Sequence, residues 1–392
     1  MIFKEKKGIA LVAALLILLA LSTIGVIAIT TTVTDTKISG NLKDIKQAFY
    51  LADAGISHAG YLLQQNIANW DAYLTPINTT NLGVGSYRVT ISNIGTTVIR
   101  KKVVSTGETS TGAEAVIEAI FSRATFSPDN AIITNNNLTI SGNPTIAGSN
   151  GGVHSNNNLT VSGNPTIAQT ASASGTTSPS SPSPPYISGA PTVDIPTINP
   201  TQFASYADYQ LRSDGKVYKA GSDLPETMIG GRWYGWNYSS GKWTLSGNDT
   251  PPSAILYIEG DAYVSGNPGS ASEPWQTTLI VTGNIELSGN PIIADYKDPS
   301  DPIGVQNLLF VAGLELRMSG NATQTFDGII AAHGHIEVSG NPTFNGYIIA
   351  ENATGINENK ISGNMTINYN GGLTSPFSSN TVSVLAWRQV YE

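Results

Sequence analysis

The chain has 392 residues, of which only 12% are charged, and it contains 40 Gly, 21 Pro and no Cys. Soluble globular domains carry roughly 25% charged residues, so uncharged polar side chains must cover most of this surface. The net charge of −8 and the lack of a Lys/Arg block in the folded part argue against nucleic-acid binding. The missing cysteines exclude disulfides, thiolate nucleophiles and Cys-ligated metals.

The N-terminus combines a basic segment, with Lys4, Lys6 and Lys7, and an uncharged apolar run over residues 9–29. About 20 apolar residues span a bilayer as a helix, and lysines at the start keep that end in the cytoplasm. The run is too long for an ordinary secretory signal, and the helical pattern continues beyond it. We expect one helix over residues 9–68 that is membrane-spanning at 9–29; a plain signal anchor is the alternative.

Three segments of this region, in order, resemble the N-terminal domain of PilX-type minor pilins: GIALV at 8–12, KISGNLKD at 37–44 and AFYLADAG at 48–55. The resemblance implies that residues 1–8 are a prepilin leader, which a prepilin peptidase removes between Gly8 and Ile9. It also implies that Ile9 becomes the N-methylated first residue. The implied partners are the inner membrane and, through the helix, other pilins and minor pilins.

One position departs from the pattern of the major pilins in this family. They carry Glu at the fifth mature position, where this chain has Ala13. In the family that carboxylate neutralises the terminal ammonium of the neighbouring subunit, and a buried charge needs such a partner. Ala13 therefore favours a place at the pilus tip over a repeated place in the shaft.

The body of the chain begins with alternating apolar and polar residues, which predict an antiparallel β-meander over 69–126. From residue 127 a Ser-Gly-Asn unit recurs at a base interval of about 20 residues, the size of one coil of a β-solenoid. The predicted fold class is α+β/all-β: a long N-terminal helix, the meander, and a right-handed parallel β-helix (β-solenoid). An ordinary β-sandwich explains the Gly-Asn turns but not the period.

Coils are expected over residues 127–169 and 246–392, the second range ending in a C-terminal cap. In each corner Gly permits positive φ, and where the corner reads Ser-Gly-Asn-Pro the Pro holds the preceding Asn extended. The asparagines of these corners are expected to stack from coil to coil through their side-chain amides. They are Asn143, Asn164, Asn267, Asn290, Asn321, Asn341 and Asn364.

Two segments interrupt the repeat. Residues 170–200 are rich in Pro, Ser and Thr and predict an extended or mobile linker. Residues 201–245 form an aromatic-rich insertion that contains Trp233, Trp236 and Trp243. If exposed, these rings are a ligand platform for sugars or a partner; if buried, which we favour, they are the core of the insertion.

Catalytic, cofactor-binding and metal-binding residues are not indicated, so we predict that the chain is not an enzyme and has no cofactor. Three weaker patterns could indicate a metal site. They are the row Glu286, Glu315 and Glu337, the pair His333 and His335, and a calcium loop over 295–301. Each is more simply explained as a solvated face, a turn pair or an ordinary loop.

The sequence therefore predicts a minor pilin that takes part in type IV pilus initiation and assembly, held by one helix in the bacterial inner membrane before assembly and then displayed on the pilus and cell surface. Its β-helix would serve surface attachment, with surface glycans as candidate partners and no role for nucleic acid. The alternatives are a membrane-anchored β-helix carbohydrate-active enzyme, a type II secretion pseudopilin and a purely structural solenoid.

Overall fold

The computed structural model describes residues 6–70, 72–94, 100–179, 184–297, 305, 307–320, 325–355, 358–373 and 375–391. The chain divides into two compact units, Met1–Ser122 with Val382–Glu392, and Arg123–Thr381.

The first unit is built on the helix α1 (Lys6–Gln65), which has 60 residues and is followed by the 3-10 turn Ile67–Asn69. No proline occurs in this stretch, so nothing in the sequence breaks the ladder of backbone hydrogen bonds. At a rise of 1.5 Å per residue the helix is about 90 Å long.

An antiparallel sheet packs on the second half of α1. Its first four strands follow in chain order, which confirms the predicted meander: β1 (Ile77–Asn81), β2 (Gly85–Asn93), β3 (Arg100–Thr109) and β4 (Glu114–Thr125). Side chains alternate between buried and exposed along β2, β3 and β4, as expected for a sheet with one covered face. The helix contributes a stripe at helical spacing to this core: Ala48, Leu51, Ala52, Ile56, Ala59 and Leu63.

Glycine lets the helix and the sheet approach closely. A Cβ atom on Gly107 of β3 would collide with the backbone of α1 at Ala48 and Ala52. A Cβ atom on Gly55 of α1 would in turn collide with the side chains of Ser105 and Tyr87. At Gly107 the backbones of β3 and α1 are therefore in contact, and at Gly55 the helix backbone is in contact with side chains of the sheet.

The second unit is a parallel β-solenoid, which confirms the predicted fold class. Its first coils contain β5 (Ile132–Thr134), β6 (Asn137–Ile140), β7 (Thr145–Ala147), β8 (Val153–Ser155), β9 (Leu159–Val161), β10 (Thr166–Ile167), β11 (Ala171–Ala173), β12 (Thr177–Ser178) and β13 (Tyr186–Ser188). After the 3-10 segment Pro200–Tyr206 come β14 (Tyr209–Leu211), β15 (Val217–Lys219), β16 (Arg232–Trp233), β17 (Trp236–Ser239) and β18 (Lys242–Leu245).

The remaining coils contain β19 (Ala254–Ile258), β20 (Asp261–Val264), β21 (Trp275–Val281), β22 (Ile285–Ser288), β23 (Ile293–Ala294), β24 (Leu308–Ala312), β25 (Leu316–Ser319), β26 (Thr325–Asp327), β27 (Ile329–Ala332), β28 (Ile336–Val338), β29 (Thr343–Asn345), β30 (Ile348–Ala350), β31 (Glu358–Ile361) and β32 (Thr366–Asn368). The last strand of the chain is β33 (Ser378–Val390).

The strands form three parallel faces. The first face has the order β13-β11-β8-β5-β30-β27-β24-β21-β19-β14, and the second has β12-β9-β6-β31-β28-β25-β22-β20-β18. The third has β10-β7-β32-β29-β26-β23-β21. The first coil of the chain, β5 to β7, thus stacks on the last, β30 to β32.

The first face is covered on both sides, unlike the second. Strands β5, β8, β19, β24, β27 and β30 are buried at every residue, whereas β20, β22, β25 and β31 alternate. Phe310 of the first face packs against Phe326 of the third, with ring centroids 5.8 Å apart, so Phe310 points inward. Its neighbour Val311 points outward by strand alternation, yet it is fully buried.

Residues 189–208, which we call the strap, cover this outer surface. The strap contacts three distant coils: Val193 N–H donates to Asn156 Oδ1 (2.8 Å), Ile198 N–H to Glu351 Oε2 (2.7 Å) and Asp208 N–H to the Ile255 carbonyl (2.9 Å). Its apolar side chains Ile195, Ile198 and Phe203 are buried. The strap carries the chain from β13 at one end of the stack to β14 at the other.

Two expectations for these regions were wrong. The segment 170–200 is not simply a linker, because β11, β12 and β13 continue the solenoid and the following residues form the strap. The C-terminal strand does not cap the solenoid: β33 is the edge strand beside β4 in the antiparallel sheet. Its alternating pattern suits either place, because an amphipathic strand needs only one apolar surface.

Candidate functional site

The first half of α1 is an exposed apolar rod. Every residue from 9 to 43 is exposed, including Ile9 at 71% and Leu18 at 69% of their possible surface. A single-chain fold leaves such a surface bare only if a bilayer or another protein covers it. Within the described residues, α1 is the one helix that is long and apolar enough to cross a membrane.

The hydroxyl groups of this rod are satisfied within the helix. Ser22 and Thr23 donate to the carbonyls of Leu19 and Ala20, three residues back. In the threonine-rich stretch that follows, hydroxyls likewise donate to carbonyls one turn earlier: Thr30, Thr31, Thr32, Thr34 and Thr36. Because no free donor remains on these side chains, they are compatible with a hydrocarbon or helix-packed environment.

The residues predicted for leader processing lie at the start of the same helix. Gly8 and Ile9 fall within α1, which begins at Lys6, and Ala13 is exposed one turn further on. The first acidic residue along the helix after Gly8 is Asp35. Residues 9–34 therefore present an uncharged surface that contains neither the fifth-position carboxylate nor a substitute for it.

The asparagines of the Ser-Gly-Asn corners lie in a column along the solenoid. Asn143 Nδ2 donates to Asn364 Oδ1 (3.1 Å), and Asn364 Nδ2 donates to Asn341 Oδ1 (3.2 Å). At the other end of the stack, Asn267 Oδ1 accepts from the Asn290 backbone N–H (2.9 Å). Asn164 continues the column through its backbone N–H, which donates to the Gly142 carbonyl, and Asn321 lies outside the described residues.

A second amide column, at the corner between the first and second faces, was not predicted. Three consecutive asparagines of one coil bond to their counterparts in the next, in the pairs Asn135–Asn156, Asn136–Asn157 and Asn137–Asn158. The sequence signal for this column is the run of three asparagines that occurs in each of these two coils. An amide repeated at one coil position has a donor and an acceptor for its two neighbours, so both columns tie successive coils together.

The three tryptophans do not form an exposed platform. Trp236 and Trp243 are fully buried and Trp233 is 2% exposed. Trp243 Nε1 donates to the Arg212 carbonyl (3.2 Å), which fixes the insertion to its own core. The favoured interpretation of burial agrees with the structure, and the platform interpretation is wrong.

In the row of glutamates that could bind a cation, Glu315 and Glu337 each form an ion pair with Arg317. Arg317 lies between Glu286 and Glu337 in the register of the second face, so charges of opposite sign alternate there. Arg317 Nε is 2.9 Å from Glu315 Oε2. Among the described residues, no three His, Cys, Asp or Glu side chains are grouped to hold a metal. Asp298 and Asp301 of the calcium loop lie outside that part of the chain.

His333 has a different partner from the predicted pair. Its Nδ1 lies 2.6 Å from Glu351 Oε2, the same oxygen that accepts the strap hydrogen bond from Ile198. His335 is buried, with Nδ1 3.6 Å from Glu315 Oε1. The two imidazoles therefore face different carboxylates, and Glu351 joins the strap to the solenoid.

The exposed apolar rod continues into the part of α1 that packs on the antiparallel sheet, as the resemblance found in the sequence implies. Residues 7–57 match the PilX N-terminal family. The N-terminal segment is thus similar to the PilX N-terminal domain of type IV minor pilins, and the resemblance found in the sequence is confirmed for this segment.

The competence-associated pilin ComZ from Thermus thermophilus is similar at 13% identity with a TM-score of 0.34, covering 89% of this chain and 98% of that chain. A TM-score of this size carries no weight for the fold, which is established by the strand pairings above. No curated protein matches the chain.

Proposed function

We propose that the protein is a minor pilin that is inserted in the bacterial inner membrane by α1 and then packed, through the same surface, among other pilins during type IV pilus assembly. The observation that carries this proposal is the bare apolar half of α1, exposed at every residue from 9 to 43. Lipid covers this surface before assembly and neighbouring helices cover it afterwards, so one surface serves both states.

The leader residues enter the proposal through their place on α1. Prepilin peptidase cuts between Gly8 and Ile9, and the new terminus at Ile9 is methylated. Ala13 lacks the carboxylate that would neutralise a neighbouring terminal ammonium, and an unpaired ammonium in an apolar helix bundle costs several kcal/mol. A tip subunit has no neighbour above it, which makes the tip the place where this chain fits.

In this proposal the solenoid is the displayed part and the chain performs no catalysis. Its second face carries paired charges of alternating sign, and the amide columns link coil to coil. Such a body is suited to hold a binding surface rigidly outside the cell, on the pilus, in contact with surfaces to which the cell attaches.

Filament fractionation tests the proposal. Pili sheared from cells that express the tagged full chain should contain it, and a variant with Leu18→Lys in the middle of the exposed rod should stay out of the filament. Leu42→Lys is the matched control, because Leu42 is also exposed but lies beyond the uncharged stretch. Equal recovery of both variants in sheared pili, or absence of the wild-type chain, would contradict the proposal.

A further inference from the structure

We propose that a cavity at the tips of the hairpins in the aromatic-rich insertion binds an uncharged sugar residue of a surface polysaccharide. The cavity measures about 600 Å³ and is lined by residues that include Glu226, Arg232, Trp233, Tyr234 and Asp249. This volume lies in the range of small-molecule sites, roughly 300–1,000 Å³. This proposal rests on the proposed function, because display of the solenoid outside the cell is what brings the cavity into contact with the sugar.

Three successive tight turns build this part of the insertion. Each has a two-residue loop in which both φ angles are positive: Gly230–Gly231 (59° and 78°), Tyr234–Gly235 (44° and 85°) and Ser240–Gly241 (52° and 79°). These are type I′ turns, which favour Asn or Gly at the first position. Tyr234 and Ser240 both depart from this preference, and the bulky Tyr234 carries a strain of about 1 kcal/mol or more.

The strained turn holds an aromatic ring at the mouth of the cavity. Tyr234 is 60% exposed, while its neighbour Trp233 is buried against Tyr209, with ring centroids 4.8 Å apart. The rings of Trp233 and Tyr234 are 5.2 Å apart and nearly perpendicular, at 89°. The two rings thus meet at a right angle, with Trp233 buried and Tyr234 exposed. Trp233 Nε1 is buried without a hydrogen-bond partner among the described residues.

Three charged side chains share the cavity with these rings. Glu226, Arg232 and Asp249 make no ion pair or side-chain hydrogen bond with any of the residues that the structure describes. The Asp249 carboxylate packs so close to the turn that a Cβ atom on Gly235 would lie 3.1 Å from its Oδ2. Planar carboxylate and guanidinium groups therefore line the cavity beside the two rings with their hydrogen-bonding capacity unused.

This combination selects the chemistry of the ligand. Aromatic rings with a polar edge favour a ligand that is apolar on one face and hydrogen-bonding around its rim, and a sugar ring has this character. Carboxylate and guanidinium groups can each bind two adjacent hydroxyls. Two carboxylates beside one guanidinium oppose an anionic ligand, and Arg232 adds a planar donor fork for hydroxyl groups, so we assign the cavity to an uncharged sugar.

Binding by the purified full chain, kept in a detergent without a sugar headgroup, tests the proposal. A glycan array identifies the best neutral oligosaccharide, which is then titrated by calorimetry against wild type and variants. Tyr234→Asn should weaken binding about tenfold or more, while Tm stays equal or rises because Asn suits the turn. Arg232→Ala should also weaken binding, and Arg232→Lys should restore little of it because Lys lacks the planar fork.

The matched control is Ser240→Asn, which places Asn at the first position of the third turn, outside the residues that line the cavity. Its Tm should also stay equal or rise, and its sugar binding should be unchanged. The proposal is overturned if no neutral glycan binds, if Tyr234→Asn binds as well as wild type, or if inorganic phosphate or choline binds the cavity more tightly than the sugar. Recovery of Tyr234→Asn in sheared pili is measured separately, so failure of sugar binding is distinguishable from failure of pilus assembly.

Discussion

Ile133 and Ile349 are partners in neighbouring parallel strands, although Ile133 lies in the first coil of the solenoid and Ile349 in the last. The coils therefore do not stack in chain order. The chain starts in the middle of the stack, winds to one end at β13, and resumes at the other end at β14. The strap is the necessary connection, and it buries the outer row of the first face.

Glu351 is expected to hold the strap in place, because its Oε2 contacts both Ile198 N–H and His333 Nδ1. Glu351→Ala leaves a backbone donor without its partner, at a cost of about 1–3 kcal/mol. We expect faster protease cleavage within residues 189–208, mapped by mass spectrometry. Glu358→Ala is the control, since Glu358 makes an exposed pair with Lys360 (3.3 Å). Equal cleavage rates in the two variants would argue against this role of Glu351.

His154 is expected to make the solenoid sensitive to acid. It is 2% exposed beneath the strap, and burial lowers its pKa below the ordinary value of 6.5. The unfolded chain therefore binds the proton more readily, so stability is greatest above pH 6.5 and falls as the pH drops below it. In denaturant unfolding from neutral to mildly acidic pH, wild type should lose stability relative to His154→Gln. A difference between the two proteins that is independent of pH would disprove the assignment.

Gly107→Ala is expected to separate α1 from its sheet, because the added Cβ atom would collide with the helix backbone at Ala48 and Ala52. Overpacking of this kind costs about 1–3 kcal/mol, which thermal unfolding of the full chain in detergent would show as a lower Tm. Gly40→Ala is the control in open space on α1, and it should be neutral or stabilising by up to about 1 kcal/mol. A Gly107→Ala protein as stable as wild type would mean that helix and sheet are not in backbone contact.

Ala13→Glu is expected to raise the number of chain copies per pilus, because the new carboxylate can neutralise the terminal ammonium of a neighbouring subunit. Quantitative mass spectrometry of sheared pili measures the ratio of this chain to the major pilin. Ala13→Gln is the matched control, since it adds similar bulk without charge and should leave the ratio unchanged. If Ala13→Glu and Ala13→Gln give the same ratio, the argument for a tip position fails.

The solenoid was predictable because the same Ser-Gly-Asn unit recurs at one corner of successive coils. Gly142 and Gly163 both have positive φ, and a Cβ atom on Gly163 would collide with the Gly142 carbonyl of the neighbouring coil. Only Gly fits such a column, so the repeat of Ser-Gly-Asn in the sequence records the repeat of the coil. The N-terminal helix was equally readable, because charge and length alone define an apolar rod.

The order of the coils was not predictable from the repeat. These corners share the same Ser-Gly-Asn unit, so nothing local records that the strand of Ile133 pairs with that of Ile349. The sequence does contain a signal for a segment that covers the first face. Runs such as Leu308–Ala312 are apolar at every position, which is typical of a strand buried on both faces. That pattern indicates a covering segment over the first face, and the strap is that segment.

In the insertion, the sequence does not predict which aromatic side chains are buried. The sequence shows that the insertion is rich in aromatic residues, but burial of Trp233 and exposure of Tyr234 follow from which side of a tight turn each residue occupies. Hydrophobicity does not distinguish the two. The signal that could have singled out Tyr234 is its place before Gly235, where a two-residue turn favours Asn.

The mature N-terminus tests the central claim most directly. Intact-mass and peptide mass spectrometry of the protein from cells with an active prepilin peptidase should find Ile9 as the first residue, carrying one N-methyl group. Cells without the peptidase, or cells that express a Gly8→Val variant, should retain residues 1–8. An unprocessed chain beginning at Met1 in the presence of the peptidase would contradict the account of this protein as a minor pilin.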